Sequence, residues 1–151
     1  MLKRTEEELK LLPAEFRNTS RIYIGGVAQG AMLALSTYMR YEGPDPLGGV
    51  IGLLGYEPLP VDKMYYSGKQ YEKAETWQPN TPLLLYNGIK DKLSPATFVK
   101  DTYLHFDRIY SKNKANNIQI MEAGLSHETS PKMISRVKEF LNSTLAISTT
   151  Y

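Results

Sequence analysis

The sequence predicts an α/β protein in which helices flank a mainly parallel sheet of roughly four strands. Three observations support this class: four short apolar segments typical of strands, helical spacing of apolar residues between them, and glycine or proline at most junctions. Because the strand segments are largely apolar, we expect the sheet to be covered on both faces by crossover helices. With 151 residues, of which 42% are hydrophobic, the chain is expected to form a single domain over residues 1–151.

The predicted elements begin with an amphipathic helix that ends near Pro13. Strands are predicted at 21–24, 49–54, 82–86 and 117–121. Helices are predicted at 29–41, 95–112 and 131–145, the last of them capped by Ser130 and opened by Pro131. In the second of these helices Phe98, Thr102, Phe106 and Ile109 are expected to share the buried side.

The composition excludes several classes of protein. Eighteen Lys and Arg against sixteen Asp and Glu give a net charge of +2, too near balance for a protein that works by binding nucleic acid. The absence of cysteine removes disulfides and thiol chemistry, and with only two histidines no metal or other cofactor is expected. No apolar run approaches the roughly 20 residues of a membrane span, and the charged N-terminus is unlike a secretory signal. We therefore expect an intracellular protein, in the cytoplasm or in an organelle, where a mitochondrial assembly is one option.

The segment Gly26-Val27-Ala28-Gln29-Gly30 joins the first predicted strand to the helix that follows it. It has the form of the G-x-S-x-G nucleophile elbow, with alanine in place of serine. On these five residues alone, an ordinary glycine-rich turn is the other interpretation. Two more segments follow later strands in the order acid, then histidine: Asn87-Gly88-Ile89-Lys90-Asp91 and Gly124-Leu125-Ser126-His127.

Taken together, these segments resemble the carboxylesterase, lysophospholipase and acyl-protein thioesterase family of α/β-hydrolases. The resemblance extends over residues 20–31, 48–53, 82–95 and 124–141. It implies that Asp91 is the triad acid, that His127 is the general base and that Ala28 stands at the position of the nucleophilic serine. It also implies that the backbone N–H of Gln29 is one donor of the oxyanion hole, because that residue follows the nucleophile at a helix N-terminus.

Members of this family begin with several strands that have no counterpart before Ser20. The resemblance therefore implies a partial α/β-hydrolase fold, which also lacks the early loop that carries the second oxyanion donor. In such a fold the strand that contains Ile22 and Ile24 would be left as an apolar edge, and open edges attract partner strands. The N-terminal helix, the loop at residues 55–81 and a separate polypeptide are the options for covering this edge. We expect other protein subunits to do so, and a polypeptide that supplies the missing N-terminal half is one candidate.

An alanine at the nucleophile position removes the group that attacks the acyl carbon. Loss of the nucleophile alone lowers turnover by about a million-fold in serine proteases. We therefore predict a catalytically inactive hydrolase-like protein that acts as a structural or interaction subunit of a larger complex. Two alternatives remain: a carboxylesterase or acyl-protein thioesterase whose serine has been replaced by Ala28, and a module that binds a lipid or acyl chain without turnover.

The loop at residues 55–81 and His105 each have two interpretations. Residues 55–81 contain several tyrosines and Trp77 among prolines, which predicts a long packed loop. Its aromatic side chains would line an acyl pocket or, as we prefer, form a contact with another protein. His105 is interpreted as a packing or surface residue of its helix.

Overall fold

The computed structural model describes residues 18–41, 45–57 and 78–148, together with residues 7, 10, 11, 13 and 43. In this part of the chain a four-stranded parallel sheet is flanked by three helices. The strands are β1 (Tyr23–Val27), β2 (Gly49–Leu53), β3 (Leu83–Gly88) and β4 (Asn117–Glu122), and the helices are α1 (Gln29–Met39), α2 (Ala96–Ile109) and α3 (Pro131–Ser148). The predicted α/β class and the parallel four-stranded sheet are confirmed.

The strands lie side by side in chain order, and every neighbouring pair is parallel. The register pairs Tyr23 with Gly49, Val50 with Leu83, and Leu83 with Asn117. Because the strands are parallel, their carboxyl ends meet at one end of the sheet, which we call the carboxyl edge. The turns after β1, β3 and β4 all leave from this edge, and they carry the residues singled out from the sequence.

The core forms around β3, whose six residues are all buried. On one side Leu83 and Leu85 pack with Leu35 of α1 and Phe106 of α2. A second cluster on the described residues consists of Leu54, Tyr86, Leu125 and Met133. Burial of each large aliphatic or aromatic side chain contributes about 1.5–3 kcal/mol, so the central strand is the strongest anchor of the loops at its carboxyl end.

The observed elements differ from the predicted ones in two informative ways. Strand β1 continues through Gly25 and Gly26 to Val27, because backbone pairing with β2 outweighs the weak strand preference of glycine. In α2 the buried face includes Val99, whereas Phe98 is 51% exposed and stacks on Tyr56 with ring centroids 5.2 Å apart. The expectation that Phe98 shares the buried side of this helix is therefore wrong.

Some predicted features fall outside the described residues. Of the predicted N-terminal helix only residues 7, 10 and 11 are described, and they are helical. Most of the predicted loop at residues 55–81 also lies outside the described part. No helix among the described residues is both long enough and apolar enough to cross a bilayer.

Candidate functional site

Ala28 lies in the sharp turn between β1 and α1, with φ 54° and ψ −118°. A residue with a Cβ rarely adopts this conformation, and such backbone strain costs on the order of 1–3 kcal/mol. The strain persists because both sides of the residue are held. The Ala28 N–H donates to the carbonyl of Leu53 at 2.8 Å, and the Ala28 carbonyl accepts from the N–H of Ala31 at 3.0 Å. The local geometry is that of a strained strand-to-helix elbow rather than an ordinary glycine turn.

Two glycines make room for this elbow. A Cβ on Gly26 would lie 2.2 Å from the carbonyl carbon of Gly30, at the start of α1. A Cβ on Gly55 would lie 2.7 Å from both the carbonyl oxygen of Ala28 and the Cβ of Ala31. Both distances are far below van der Waals contact, so the backbone of the elbow is packed directly against neighbouring backbone.

Asp91 and His127 are in contact at the carboxyl edge. Nδ1 of His127 lies 2.7 Å from Oδ2 of Asp91, and Oδ1 of Asp91 accepts from the N–H groups of Leu93 at 2.8 Å and Ser94 at 3.0 Å. Burial raises the pKa of the Asp91 carboxyl, but the hydrogen bonds from His127, Ser94 and Leu93 outweigh it and hold that pKa below its ordinary value of 3.8. Asp91 is therefore an acceptor-only carboxylate at neutral pH, and Nδ1 of His127 carries the proton that it accepts.

This pairing leaves Nε2 of His127 as the basic nitrogen. The imidazole is 26% exposed, whereas the Asp91 side chain is fully buried. Within the described ranges, Asp91 is the only hydrogen-bond partner of His127. A buried carboxylate that orients an accessible imidazole is the arrangement by which histidine acts as a general base.

Main-chain hydrogen bonds tie the loops of this pair together. The N–H of Ile89 donates to the carbonyl of Glu122 at 3.0 Å, and the N–H of Lys90 donates to the carbonyl of Leu125 at 2.9 Å. The loop after β3, which carries Asp91, is therefore bonded directly to the loop after β4. The relative placement of the two side chains follows from the pairing of their parent strands.

A family model described as Phospholipase/Carboxylesterase matches residues 3–145. The chain belongs to this family. It is 34% identical over 140 residues to acyl-protein thioesterase 1 homolog 1 of Dictyostelium discoideum, covering 93% of this chain and 54% of that protein. It is 30% identical over 125 residues to acyl-protein thioesterase 1 of Yarrowia lipolytica, covering 81% and 49%. The chain thus spans about half the length of the curated relatives it matches, and the resemblance inferred from its motifs is confirmed.

Solved structures share the same fold. A variant of SOBER1 from Arabidopsis thaliana superposes with a TM-score of 0.68 at 20% identity, over 95% of this chain and 61% of that chain. Acyl-protein thioesterase 2 from Zea mays superposes with a TM-score of 0.66 at 22% identity, over 95% and 62%. The sheet and helices described above are therefore those of an α/β-hydrolase.

In this member of the phospholipase/carboxylesterase family, Ala28 and Gln29 lie at the carboxyl edge of the sheet, as Asp91 and His127 do. Gln29 is the first residue of α1, where a backbone N–H has no acceptor within the helix. Neither residue is hydrogen-bonded to Asp91 or His127 in the described part of the chain. The structure thus joins two of the four predicted site residues directly, and places the other two at the end of β1.

A buried network that the sequence reasoning missed connects β3 and the loop of Asp91 to the chain just after β2. Ser94 Oγ donates to the carbonyl of Leu54 at 2.7 Å, and Asn87 Nδ2 donates to the carbonyl of Gly55 at 3.0 Å. The hydroxyl oxygen of Tyr103 lies 3.1 Å from Asn87 Oδ1. Asn87 and Ser94 are close to Asp91 in sequence, but nothing in their spacing signals a contact with the end of β2.

His105 is buried, so the surface interpretation is wrong and the packing interpretation holds. Its Nδ1 lies 2.6 Å from Oε2 of Glu57, whose side chain is also almost fully buried. The N–H of Glu57 donates to the hydroxyl of Thr102 at 2.9 Å, so two α2 residues hold the chain just after β2. Among the described residues, no group of three His, Asp or Glu is placed to hold a metal ion.

Proposed function

We propose that this member of the phospholipase/carboxylesterase family does not hydrolyse esters or thioesters through a serine nucleophile, and that it serves as a non-catalytic interaction subunit of a larger assembly. The observation that carries the proposal is the absence of a hydroxyl at Ala28. This residue holds the strained elbow conformation, yet its side chain ends in a methyl group.

The chemistry at the elbow supports the loss of activity. Acyl transfer requires an oxygen or sulfur lone pair at that position and a proton that His127 can remove. A methyl group offers neither, although the Asp91–His127 pair is intact. Two buried hydroxyls of the neighbouring loops do not replace the missing nucleophile, because Ser94 Oγ donates to the carbonyl of Leu54 and Ser130 Oγ donates to the carboxylate of Glu122, and neither is bonded to His127.

The open edge of β1 supports the interaction role. The Ala28 N–H points to Leu53 of β2, and main-chain groups alternate in direction along a strand. The main-chain groups of Tyr23, Gly25 and Val27 therefore point away from β2, where no other described strand lies. This strand carries no charged residue, and open uncharged edges pair readily with other chains. In the proposal, other protein subunits cover β1 around Ile24.

The strand at the opposite side of the sheet, β4, packs against α2 and carries polar side chains. The hydroxyl of Tyr103, on α2, donates to the carbonyl of Ile120 in β4 at 2.9 Å. The Gln119 side chain donates back to the carbonyl of Tyr103 at 2.9 Å. Asn117, Gln119 and Glu122 make β4 more polar than β1, which carries no charged residue, so β1 is the preferred edge for a partner.

Hydrolysis assays test the catalytic half of the proposal. The purified chain is assayed with p-nitrophenyl esters and an acyl thioester, and is exposed to a fluorophosphonate probe. We expect hydrolysis no faster than that of a His127→Ala variant, and no labelling. Turnover by the wild-type chain that disappears in His127→Ala would contradict the proposal. Gain of labelling and hydrolysis in Ala28→Ser would favour the alternative enzyme whose serine has been replaced.

A pair of lysine substitutions tests the interaction half. Val27 is 47% exposed on β1, and Leu104 is 57% exposed on α2, so the two sites match in exposure but lie on different surfaces. A charge on an edge strand opposes pairing. We expect Val27→Lys to release the chain from its native particle, and Leu104→Lys to leave it bound, as measured by native mass spectrometry. A wild-type chain that is monomeric in its natural source would contradict this half of the proposal.

A further inference from the structure

The carboxylate of Glu122 joins three elements, β3, β4 and α3, close in sequence to His127. Oε2 of Glu122, at the end of β4, accepts from the hydroxyl of Tyr86 in β3 at 2.6 Å and from Ser130 Oγ at 2.6 Å. Ser130 immediately precedes α3 and caps it, since its Oγ accepts from the N–H of Met133 at 3.0 Å. We call Tyr86, Glu122 and Ser130 the Glu122 cluster.

The cluster closes the base of the loop that carries His127. Glu122 is the last residue of β4 and Ser130 precedes the first residue of α3, so residues 123–129 form a loop whose two ends are joined through one side chain. Within this loop Gly124 has φ 83°, and His127 is anchored by its bond to Asp91. Leu125 of the same loop is buried and its carbonyl accepts from the N–H of Lys90 at 2.9 Å, so the loop is held at its middle as well as at its two ends.

The same residue also faces the loop of Asp91. The carbonyl of Glu122 accepts from the N–H of Ile89 at 3.0 Å, two residues before Asp91. Its side chain therefore fixes the His127 loop while its main chain fixes the Asp91 loop. A displacement of Glu122 would change the distance between the two partners of the pair.

The protonation states suit this arrangement. The hydrogen bonds from Ser130 and Tyr86 hold the pKa of the Glu122 carboxyl below its ordinary value of 4.5. Burial, with the hydrogen bond to Glu122, raises the pKa of Tyr86 to about 12. At neutral pH an ionised acceptor therefore faces two neutral donors, which makes both hydrogen bonds charge-assisted and strong.

We propose that Glu122 is a positioning residue for His127, and that it holds the imidazole against Asp91 by closing the loop 123–129 onto Tyr86 and Ser130. This inference does not depend on whether the chain is an enzyme, because it concerns the geometry of a pair that the structure already contains. It does require that loss of the cluster loosens the His127–Asp91 hydrogen bond specifically, and not only the fold.

The proton on Nδ1 of His127 gives a direct readout by NMR, since its exchange with water reports how long the bond to Asp91 stays closed. Glu122→Ala removes both hydrogen bonds of the cluster, and we expect it to raise this exchange rate by at least about tenfold, the factor that corresponds to the loss of one net hydrogen bond. Glu122→Gln keeps an oxygen acceptor and should restore most of the protection. The ¹⁵N shifts of the ring should report a mixture of tautomers in Glu122→Ala only.

Glu128→Ala is the matched control. It removes the same charge at an exposed position of the loop 123–129, one residue from His127 and outside the cluster. The neighbouring charged residues Lys90, Lys92, Lys132 and Arg136 stay unchanged. We expect Glu128→Ala to leave Nδ1 exchange as in the wild type. Equal effects of Glu122→Ala and Glu128→Ala would show an influence of charge alone and would overturn the proposal.

Folding is checked by the amide spectrum of each variant. If Glu122→Ala does not fold, Tyr86→Phe decides the question, because it keeps the buried ring and removes one of the two donors. Faster Nδ1 exchange in a folded Tyr86→Phe protein is the expected result. Unchanged exchange in either folded variant, Glu122→Ala or Tyr86→Phe, would overturn the proposal.

Discussion

The backbone of Gly26 in β1 lies against the backbone of Gly30 in α1, so that a Cβ on Gly26 would be 2.2 Å from the Gly30 carbonyl carbon. The clash is one-sided, because a Cβ on Gly30 itself would meet nothing within 4 Å. The close approach of β1 and α1 therefore requires a glycine at position 26, whereas position 30 has room for a larger residue.

This asymmetry predicts opposite effects of the same substitution. Gly26→Ala must push β1 and α1 apart, and we expect it to lower the free energy of unfolding by about 1–3 kcal/mol, as overpacking does. Gly30→Ala lies in a helix with open space, and we expect it to raise that free energy by up to about 1 kcal/mol. Urea unfolding of both variants measures the two values. Equal destabilisation by both would show that the close approach does not exist in solution.

The strained backbone of Ala28 predicts that a smaller residue is more stable there. Glycine tolerates φ 54° without a clashing Cβ, so we expect Ala28→Gly to raise the free energy of unfolding by about 1 kcal/mol, after subtraction of its greater unfolded-state entropy. Ala34→Gly, at a buried position inside α1, should instead lower it by about 1 kcal/mol or more. Thermal unfolding of the two variants checks the difference in sign. A loss of stability in Ala28→Gly would mean that the elbow is not strained.

The depressed pKa of Asp91 predicts a pH-dependent contribution to stability. Because the folded-state pKa lies below the unfolded value of 3.8, the ionised carboxylate stabilises the fold fully above that pH, and the contribution is lost as the pH falls through the folded-state pKa. We expect Asp91→Asn to be less stable than the wild type at pH 7 by about 1–3 kcal/mol. Its stability should also fall less steeply with acid.

Urea titrations between neutral and acidic pH measure both slopes. The slope of Asp91→Asn should not become zero, because the pKa of Glu122 is also depressed and contributes with the same sign. Parallel curves for the wild type and Asp91→Asn would show that the carboxylate is not stabilised by its hydrogen bonds in the folded state.

The buried pair of His105 and Glu57 predicts a large cost for removing one partner. Replacing His105 with Ala leaves the Glu57 carboxyl buried without its 2.6 Å partner, and a buried polar group that loses its hydrogen-bond partner costs about 1–3 kcal/mol or more. Arg136 and Glu139 on α3 offer an exposed contrast, paired at 2.8 Å with Glu139 58% exposed. Glu139→Ala should change stability by less than about 1 kcal/mol. Chemical unfolding distinguishes the two, and similar effects would show that water reaches Glu57.

Much of the candidate site could be predicted because the sequence patterns that mark it are local. The glycines around Ala28 and the order of Asp91 and His127 along the chain are visible without any coordinates, and each residue follows a segment with a clear strand pattern. The parallel sheet then brings Asp91 and His127 to one edge, as the order of the segments implies.

The supporting residues could not be predicted in this way. Gly55 matters because the carbonyl of Ala28 approaches it, and Glu122 matters because the hydroxyls of Tyr86 and Ser130 converge on it. Such contacts join residues whose separation along the chain follows neither the helical nor the strand period. The error at Phe98 has a related cause, because helical periodicity identifies an apolar stripe but does not decide how the helix turns against the sheet.

By itself, the sequence determined the α/β class, the positions of the four strands and the absence of a hydroxyl at Ala28. These depend on residue type and on repeats of two or three to four residues, which act over short stretches of chain. Only the tertiary structure decided that Asp91 touches His127, that Ala28 is strained and that β1 presents an open edge within the described sheet. Those properties arise from strand register and from close backbone approach, which depend on the packing of distant segments against one another.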